Sequence, residues 1–89
     1  MPHPSTPALV RELMLYMLVY PNASDTAEGM ARWWFDPRQR VDMTAVQEAL
    51  DWLVRQEVFA ERVAIDGRRS YRRICSDLRL QQLIAQASP

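Results

Sequence analysis

Between positions 7 and 20, apolar residues recur every three or four positions, at Leu9, Leu13, Met17 and Tyr20. Thr6-Pro7 precedes this segment and supplies an N-cap followed by a proline at the first helical position. Pro21-Asn22 follows it and is typical of a helix end. The pattern predicts a first helix over 7–20, and we expect residues 1–6 to be disordered.

Two more segments show helical periodicity. In 26–35, the apolar positions are Ala27, Met30, Ala31 and Trp34. Asp25 and Glu28 stand at capping-box spacing before this segment, and Asp36-Pro37 ends it, because proline disfavours helical geometry in the residue before it. Asp42 can cap a third helix that continues to about Gln56, with an apolar stripe at Val46, Leu50 and Leu53. We expect residues 37–41 to form an exposed turn.

After Glu57 the pattern becomes strand-like, in two runs over 58–65 and 68–74. Asp66-Gly67 separates the runs and indicates a hairpin with a two-residue type I′ turn. Counting outward from that turn pairs four sets of residues: Ile65 with Arg68, Val63 with Ser70, Glu61 with Arg72, and Phe59 with Ile74. Ser76 can then cap a last helix, assigned to 76–87, whose apolar stripe is Leu80, Leu83, Ile84 and Ala87.

These elements predict a single α+β domain over residues 1–89, mainly α, with three helices, a hairpin and a C-terminal helix. The composition, 48% hydrophobic and 25% charged, is that of a folded chain. The longest strongly apolar run, Leu13–Tyr20, is too short to cross a membrane. The N-terminus also lacks the features of a secretory signal, so we expect a cytoplasmic protein.

The chain has one cysteine, Cys75, and one histidine, His3. An intrachain disulfide therefore cannot form, and a Cys/His zinc site cannot be assembled. A catalytic Cys–His pair would require His3, which lies in the proline-flanked terminus. We expect a protein that is not an enzyme and has no metal or other cofactor.

Charge is unevenly distributed, although the formal net charge is zero. Residues 1–61 contain five arginines and nine acidic residues, whereas residues 62–89 contain six arginines and two acidic residues. All of the basic residues are arginine, which suits bidentate contacts with phosphate or guanine and also suits a GC-rich genome. The basic segment can bind phosphate, or its arginines can form surface ion pairs with neighbours such as Glu61 and Asp66.

The stretch VQEALDWLVRQEVFAER at 46–62 and the stretch DGRRSYRRI at 66–74 resemble the recognition helix and wing of ArsR-like and MarR-like bacterial repressors. The resemblance implies a winged helix-turn-helix fold and a regulator of transcription that binds double-stranded DNA. In such proteins the third helix enters the major groove and the wing reaches the backbone or the minor groove. The DNA-contacting residues expected here are Arg38, Arg40, Thr44, Ala45, Gln47, Arg55, Arg68 and Arg69.

The resemblance also implies a homodimer formed through the first and last helices, with Leu15, Leu18, Leu80, Leu83 and Ile84 at its interface. The chain departs from the family at three places. Glu57 stands where glycine is common, the connection between the second and third helices is longer, and Glu48 and Asp51 lie on the helix face expected to approach DNA. A protein-interaction module on the same scaffold, using that acidic face and an exposed tryptophan, is the alternative. Trp34 is expected in the core, and Trp33 and Trp52 at helix edges.

Overall fold

The computed structural model describes residues 4–86, which form four helices and one three-stranded antiparallel sheet. Along the chain the elements are α1 (Thr6–Val19), β1 (Ser24–Thr26), α2 (Ala27–Trp33), α3 (Met43–Arg55), β2 (Phe59–Val63), β3 (Arg69–Arg73) and α4 (Asp77–Gln86). The fold is α+β, and all four predicted helices and the hairpin are present. This order of elements is compatible with a winged helix.

The predicted caps of α3 and α4 are confirmed, whereas the predicted Thr6 cap of α1 is wrong, because Ser5 is at the N-cap position and no side chain among the described residues caps that helix. The Asp42 carboxylate accepts hydrogen bonds from the backbone N–H groups of Thr44 and Ala45, as the sequence predicts for α3. The Ser76 hydroxyl accepts one from Arg79 N–H, at 3.2 Å, in the first turn of α4. For α2 the predicted cap is wrong, because Thr26, and not Asp25, accepts the N–H of Gly29. Asp25 instead lies in β1, a strand too short to show alternation in the sequence.

The structure tests only in part the predicted disorder of residues 1–6 and the predicted extent of the last helix to residue 87. Residues 1–3 and Ala87 lie outside the described range. Thr6, expected in the disordered terminus, is instead buried in the first turn of α1. Its hydroxyl donates a 2.8 Å hydrogen bond to the Glu48 carboxylate on α3. This contact ties the start of α1 to the third helix.

The hairpin is present, but its predicted turn and register are wrong. The Ala64 N–H donates to the Arg68 carbonyl, so Ile65, Asp66 and Gly67 form a three-residue loop. A type I′ turn needs positive φ at both central residues, and only Gly67, at φ 87°, has it. The register therefore shifts by one residue, so that Phe59 is opposite Arg73 and Glu61 is opposite Tyr71.

Burial of Tyr71 explains the shift. A slip of one residue exchanges the two faces of a strand. In the observed register Tyr71 and Phe59 lie on the same face, and both are buried against the helices. The predicted Glu61–Arg72 pair does not form. Glu61 instead forms an ion pair with Arg69, with Arg69 Nε 3.6 Å from Glu61 Oε1. The sheet order is β1-β3-β2, which places β3 in the centre.

The core lies between α1, α3 and the inner face of the sheet. Fully buried side chains from α1, α2 and α3 meet there with Phe59 and Tyr71. Trp34 is buried, as predicted, and stacks on Tyr16 of α1 with ring centroids 4.1 Å apart. Within residues 4–86, no helix is both long and apolar enough to cross a membrane.

Two residues predicted at a dimer interface belong to this core. Leu80 is fully buried and Ile84 is nearly so, because α4 packs on α1 of the same chain. Both side chains are therefore buried within the chain itself, and their assignment to an interface is wrong. Leu15, Leu18 and Leu83 are only partly buried at the margin of the core.

Candidate nucleic-acid interface

The face of α3 directed away from the core carries the exposed side chains of Thr44, Asp51 and Arg55, and Met43 is exposed at the first residue of the helix. Gln47 lies beside them and is half-buried. Ala45, predicted to contact bases, is fully buried against the core, so it cannot reach a base and that prediction is wrong. The exposed part of α3 is thus narrower than the sequence indicates, and it combines one cation, one anion and two neutral polar groups.

Gln47 joins α3 to the hairpin. Its amide nitrogen donates to Asp51 Oδ1 at 3.0 Å and to the hydroxyl of Tyr71 on β3, also at 3.0 Å. A carboxylate only accepts hydrogen bonds, so Asp51 orients the amide with its nitrogen towards α3's next turn. Both N–H groups are then engaged, and the amide oxygen is the group left to accept a hydrogen bond from a ligand.

A cleft of about 550 Å³ lies between the start of α2, the third helix and the hairpin. Residues from all three elements line it, among them Glu28, Gln47, Gly67, Arg68, Arg69 and Tyr71. The Gln47–Tyr71 hydrogen bond crosses one side of this cleft. The structure therefore brings together three of the predicted DNA-contacting residues, namely Gln47, Arg68 and Arg69.

The two arginines of the cleft form exposed ion pairs. Arg68 Nε is 3.3 Å from Asp66 Oδ2, and Arg69 pairs with Glu61 as described above. The Arg68 side chain is nonetheless 80% exposed and that of Arg69 is 65% exposed. Pairs this exposed contribute roughly 0–1 kcal/mol, so a phosphate can replace the carboxylate at small cost.

The other predicted arginines lie elsewhere. Arg38 and Arg40 are exposed in the 34–42 connection and are not among the cleft residues. Arg38 makes a bidentate pair with Asp36, with nitrogen–oxygen distances of 3.2 and 3.0 Å. These hydrogen bonds hold the pKa of Asp36 below its ordinary value and raise that of Arg38. Arg55 is exposed at the far end of α3.

The two acidic residues expected on the exposed face of α3, Glu48 and Asp51, differ in their exposure. Glu48 is half-buried and bound to Thr6 of α1, so it lies on the side of the helix that packs in the molecule. Asp51 remains exposed beside Gln47. One of the two carboxylates expected to repel DNA is therefore turned towards α1.

Sequence reasoning missed Tyr71 as part of this site. The predicted two-residue turn placed it on the opposite face from Phe59. Tyr71 is the one aromatic residue among the polar and basic positions of 68–73, and its need for burial was the signal available in the sequence. Trp33 also stands out, because it is 71% exposed at the end of α2, as expected for a helix edge, whereas Trp52 is half-buried.

In the described part of the chain, no cluster of three or more His, Cys, Asp or Glu side chains is arranged to hold a metal ion. Comparisons with protein families, with curated proteins and with solved structures found no match.

Proposed function

We propose that this chain is a winged helix protein that binds double-stranded DNA, with α3 in the major groove and the β2–β3 hairpin as the wing. The observation that carries the proposal is the Gln47–Tyr71 hydrogen bond, because it sets the exposed face of α3 beside the arginines of the hairpin. Gln47, for base edges, then lies at the same cleft as Arg68 and Arg69, for phosphates.

The order of elements supports the proposal. A helix, a short strand, two helices, a hairpin and a last helix, with the short strand pairing beside the hairpin, is the order expected of a winged helix. Residues 34–42 form a connection of nine residues between α2 and α3, longer than a tight helix-turn-helix turn, as the sequence indicates. Trp34 and Phe35 are buried within it, which anchors this longer connection.

The exposed residues divide into two roles under this proposal. Thr44 and the Gln47 oxygen face bases, and an acceptor at Gln47 suits the exocyclic amino group of cytosine or adenine. The basic residues Arg55, Arg68 and Arg69 face the backbone, and Arg38 and Arg40 reach flanking phosphates. Each phosphate neutralised by an arginine contributes about −0.9 to the slope of log affinity against log salt.

We further propose a cytoplasmic transcriptional regulator that acts as a homodimer through Leu15, Leu18 and Leu83, the partly buried leucines of α1 and α4. Two copies related by a two-fold axis would present two α3 helices to half-sites about one DNA turn apart. A palindromic target follows from that symmetry.

Fluorescence anisotropy with a labelled duplex of random sequence, at about 50 mM and about 200 mM salt, tests the DNA proposal. We expect weak binding that falls steeply with salt and is abolished by the double change Arg68→Ala and Arg69→Ala. Arg32→Ala, on the exposed side of α2, removes a cation away from the cleft and should leave binding unchanged. Absence of binding at the lower salt would overturn the proposal.

Exposure of Trp33 favours a second candidate, a protein-interaction module on the same scaffold. Aromatic side chains frequently anchor protein interfaces, and an indole ring that is 71% exposed is available for one. This candidate predicts that the wild-type chain does not bind duplex DNA at low salt. It also predicts that a Trp33→Ala variant keeps its fold and loses binding to the partner.

A further inference from the structure

The outer face of the sheet, the face directed away from the core, has an unusual composition. Strand alternation and the observed register place six side chains on it: Ser24, Thr26, Ala60, Arg62, Ser70 and Arg72. Two are arginines, three carry hydroxyl groups, and one is a methyl group. The outer face therefore has neither an acidic side chain nor a large apolar one.

The inner face of the same sheet is the opposite. Phe59 and Tyr71 are buried there, and Asp25 and Glu61 lie on either side of Tyr71 in the register. All acidic residues of the three strands are thus on the inner face. The inner face also carries Arg69 and Arg73, so arginines occupy both faces, whereas arginines are the only charged residues of the outer face.

Arg62 and Arg72 are diagonal neighbours on this outer face. Arg62 is opposite Ser70, and Arg72 is two residues further along the same strand. Diagonal positions on adjacent strands are about 7–8 Å apart, within reach of long side chains, and like charges at such positions repel. Both side chains are exposed, and among residues 4–86 neither guanidinium group has an ion-pair partner. An anion bound between them would relieve the repulsion.

We propose that the outer face of the sheet binds the phosphate backbone of a duplex through Arg62 and Arg72. This inference rests on the proposed function and extends it, because Arg62 and Arg72 are not among the residues that line the cleft. The hydroxyl groups of Ser24 and Ser70 lie beside the two arginines and can donate to phosphate oxygens.

The composition favours a phosphate chain over the other large anionic partners. Protein interfaces are anchored mainly by Trp, Tyr and Arg side chains that fill pockets, and amphipathic membrane binding inserts an apolar face. The outer face has only the methyl group of Ala60. A flat surface of arginines and hydroxyls is instead the set of side chains that contacts nucleic-acid backbones.

The test compares salt slopes of duplex binding for the wild type and for three variants. The double change Arg62→Gln with Arg72→Gln should lower the slope by nearly two, since each arginine contributes about 0.9. Replacing both by lysine keeps the charge and should restore the slope. The single change Arg32→Gln should leave it at the wild-type value. A thermal melt of the double glutamine variant should show a midpoint no lower than that of the wild type, because the glutamines remove a like-charge contact.

The outcomes separate this inference from the proposed function. An unchanged slope in the double glutamine variant, with wild-type binding intact, overturns the outer-face site and leaves the DNA proposal standing. Failure of the wild type to bind duplex overturns both. A lower melting midpoint in the glutamine variant would show that the two arginines serve the fold, which also overturns the site. Poly-glutamate that competes with duplex as strongly as a polyphosphate chain would overturn the preference for phosphate.

Discussion

Glu57 ends the third helix in a conformation that suits glycine. Its φ is 58°, and among residues 4–86 it is the only non-glycine residue with a positive φ. The N–H of Glu57 donates to the carbonyl of Val54, and the N–H of Val58 donates to that of Leu53. These two hydrogen bonds form a Schellman motif, which terminates the helix and directs the chain into β2. Glu57, which stands where the repressors that the chain resembles commonly have glycine, thus adopts the left-handed conformation that glycine favours.

Replacing Glu57 with glycine should stabilise the protein. The left-handed conformation costs a residue with a Cβ roughly 1–2 kcal/mol, and part of that gain is offset by the flexibility of glycine in the unfolded chain. We expect Glu57→Gly to raise the free energy of unfolding by about 1 kcal/mol, measured by urea denaturation. Gln56→Gly is the matched control, because Gln56 has φ −82° and glycine there should destabilise. Equal effects at both positions would contradict this account.

At the scale of elements, the hydrogen bond from Gln47 to Tyr71 connects α3 to the hairpin. The hydroxyl of Tyr71, on β3, accepts a hydrogen bond from Gln47, and the ring of Tyr71 is buried. Tyr71 therefore serves the core through its ring and the candidate site through its hydroxyl. The two roles can be separated by removing the oxygen alone.

Tyr71→Phe should preserve the fold and remove the hydrogen bond between Gln47 and the hairpin. The lost hydrogen bond should lower the free energy of unfolding by about 0.5–1.5 kcal/mol, measured by denaturation. Thr44→Ser, a mild change on the same face of α3, is the variant for comparison. If α3 and the wing act together on DNA, Tyr71→Phe should lower the affinity for duplex DNA by more than Thr44→Ser does. Wild-type affinity in the phenylalanine variant would show that the hydrogen bond has no part in binding.

The connection between α2 and α3 is organised by the Asp36–Arg38 pair. Arg38 holds the pKa of Asp36 below its ordinary value of 3.8 through side-chain and backbone hydrogen bonds. A lowered folded-state pKa means that the stabilisation is present above the unfolded value and is lost as the pH falls through the folded one. Both side chains are exposed, so the effect on the loop is local.

A carboxyl-carbon NMR titration should therefore place the pKa of Asp36 below 3.8. Arg38→Gln should move it back towards that value, because the largest contribution to the shift is the side-chain hydrogen bond from Arg38. Arg40→Gln, two residues along the same loop, removes an equal charge and should leave the Asp36 titration unaltered. A shift of equal size in both variants would mean that long-range charge, and not the hydrogen bonds, sets the pKa.

At the scale of the molecule, the leucines of α4 serve two purposes. Leu80 is buried in the core of the chain, whereas Leu83 is partly exposed beside α1. A dimer formed through α1 and α4 would cover Leu83 and leave Leu80 where it is.

Two alanine substitutions on α4 should behave differently. Leu80→Ala should lower the free energy of unfolding by about 2–5 kcal/mol, through the lost burial and the cavity left behind. Leu83→Ala should have a smaller effect on unfolding and should shift light-scattering mass towards the monomer. A wild-type chain that is monomeric at high concentration would remove the dimer from the proposal.

The sequence alone determined the elements whose signals are local. Helical spacing and the capping residues Asp42 and Ser76 locate α3 and α4, because a cap satisfies backbone groups only a few residues away. Asp66-Gly67 likewise locates the hairpin. Glu57 was also identifiable in the sequence as a residue at a helix end where glycine is common.

Only the tertiary structure decided which side chains share a surface. Burial of Tyr71 against α3 set the hairpin register, and that register separated Arg62 and Arg72 from the acidic residues of the sheet. Packing of α1 on α3 turned Glu48 inwards and buried Ala45, and packing of α4 buried Leu80. These outcomes depend on contacts between residues far apart in the chain, and periodicity along one segment carries no information about its partner.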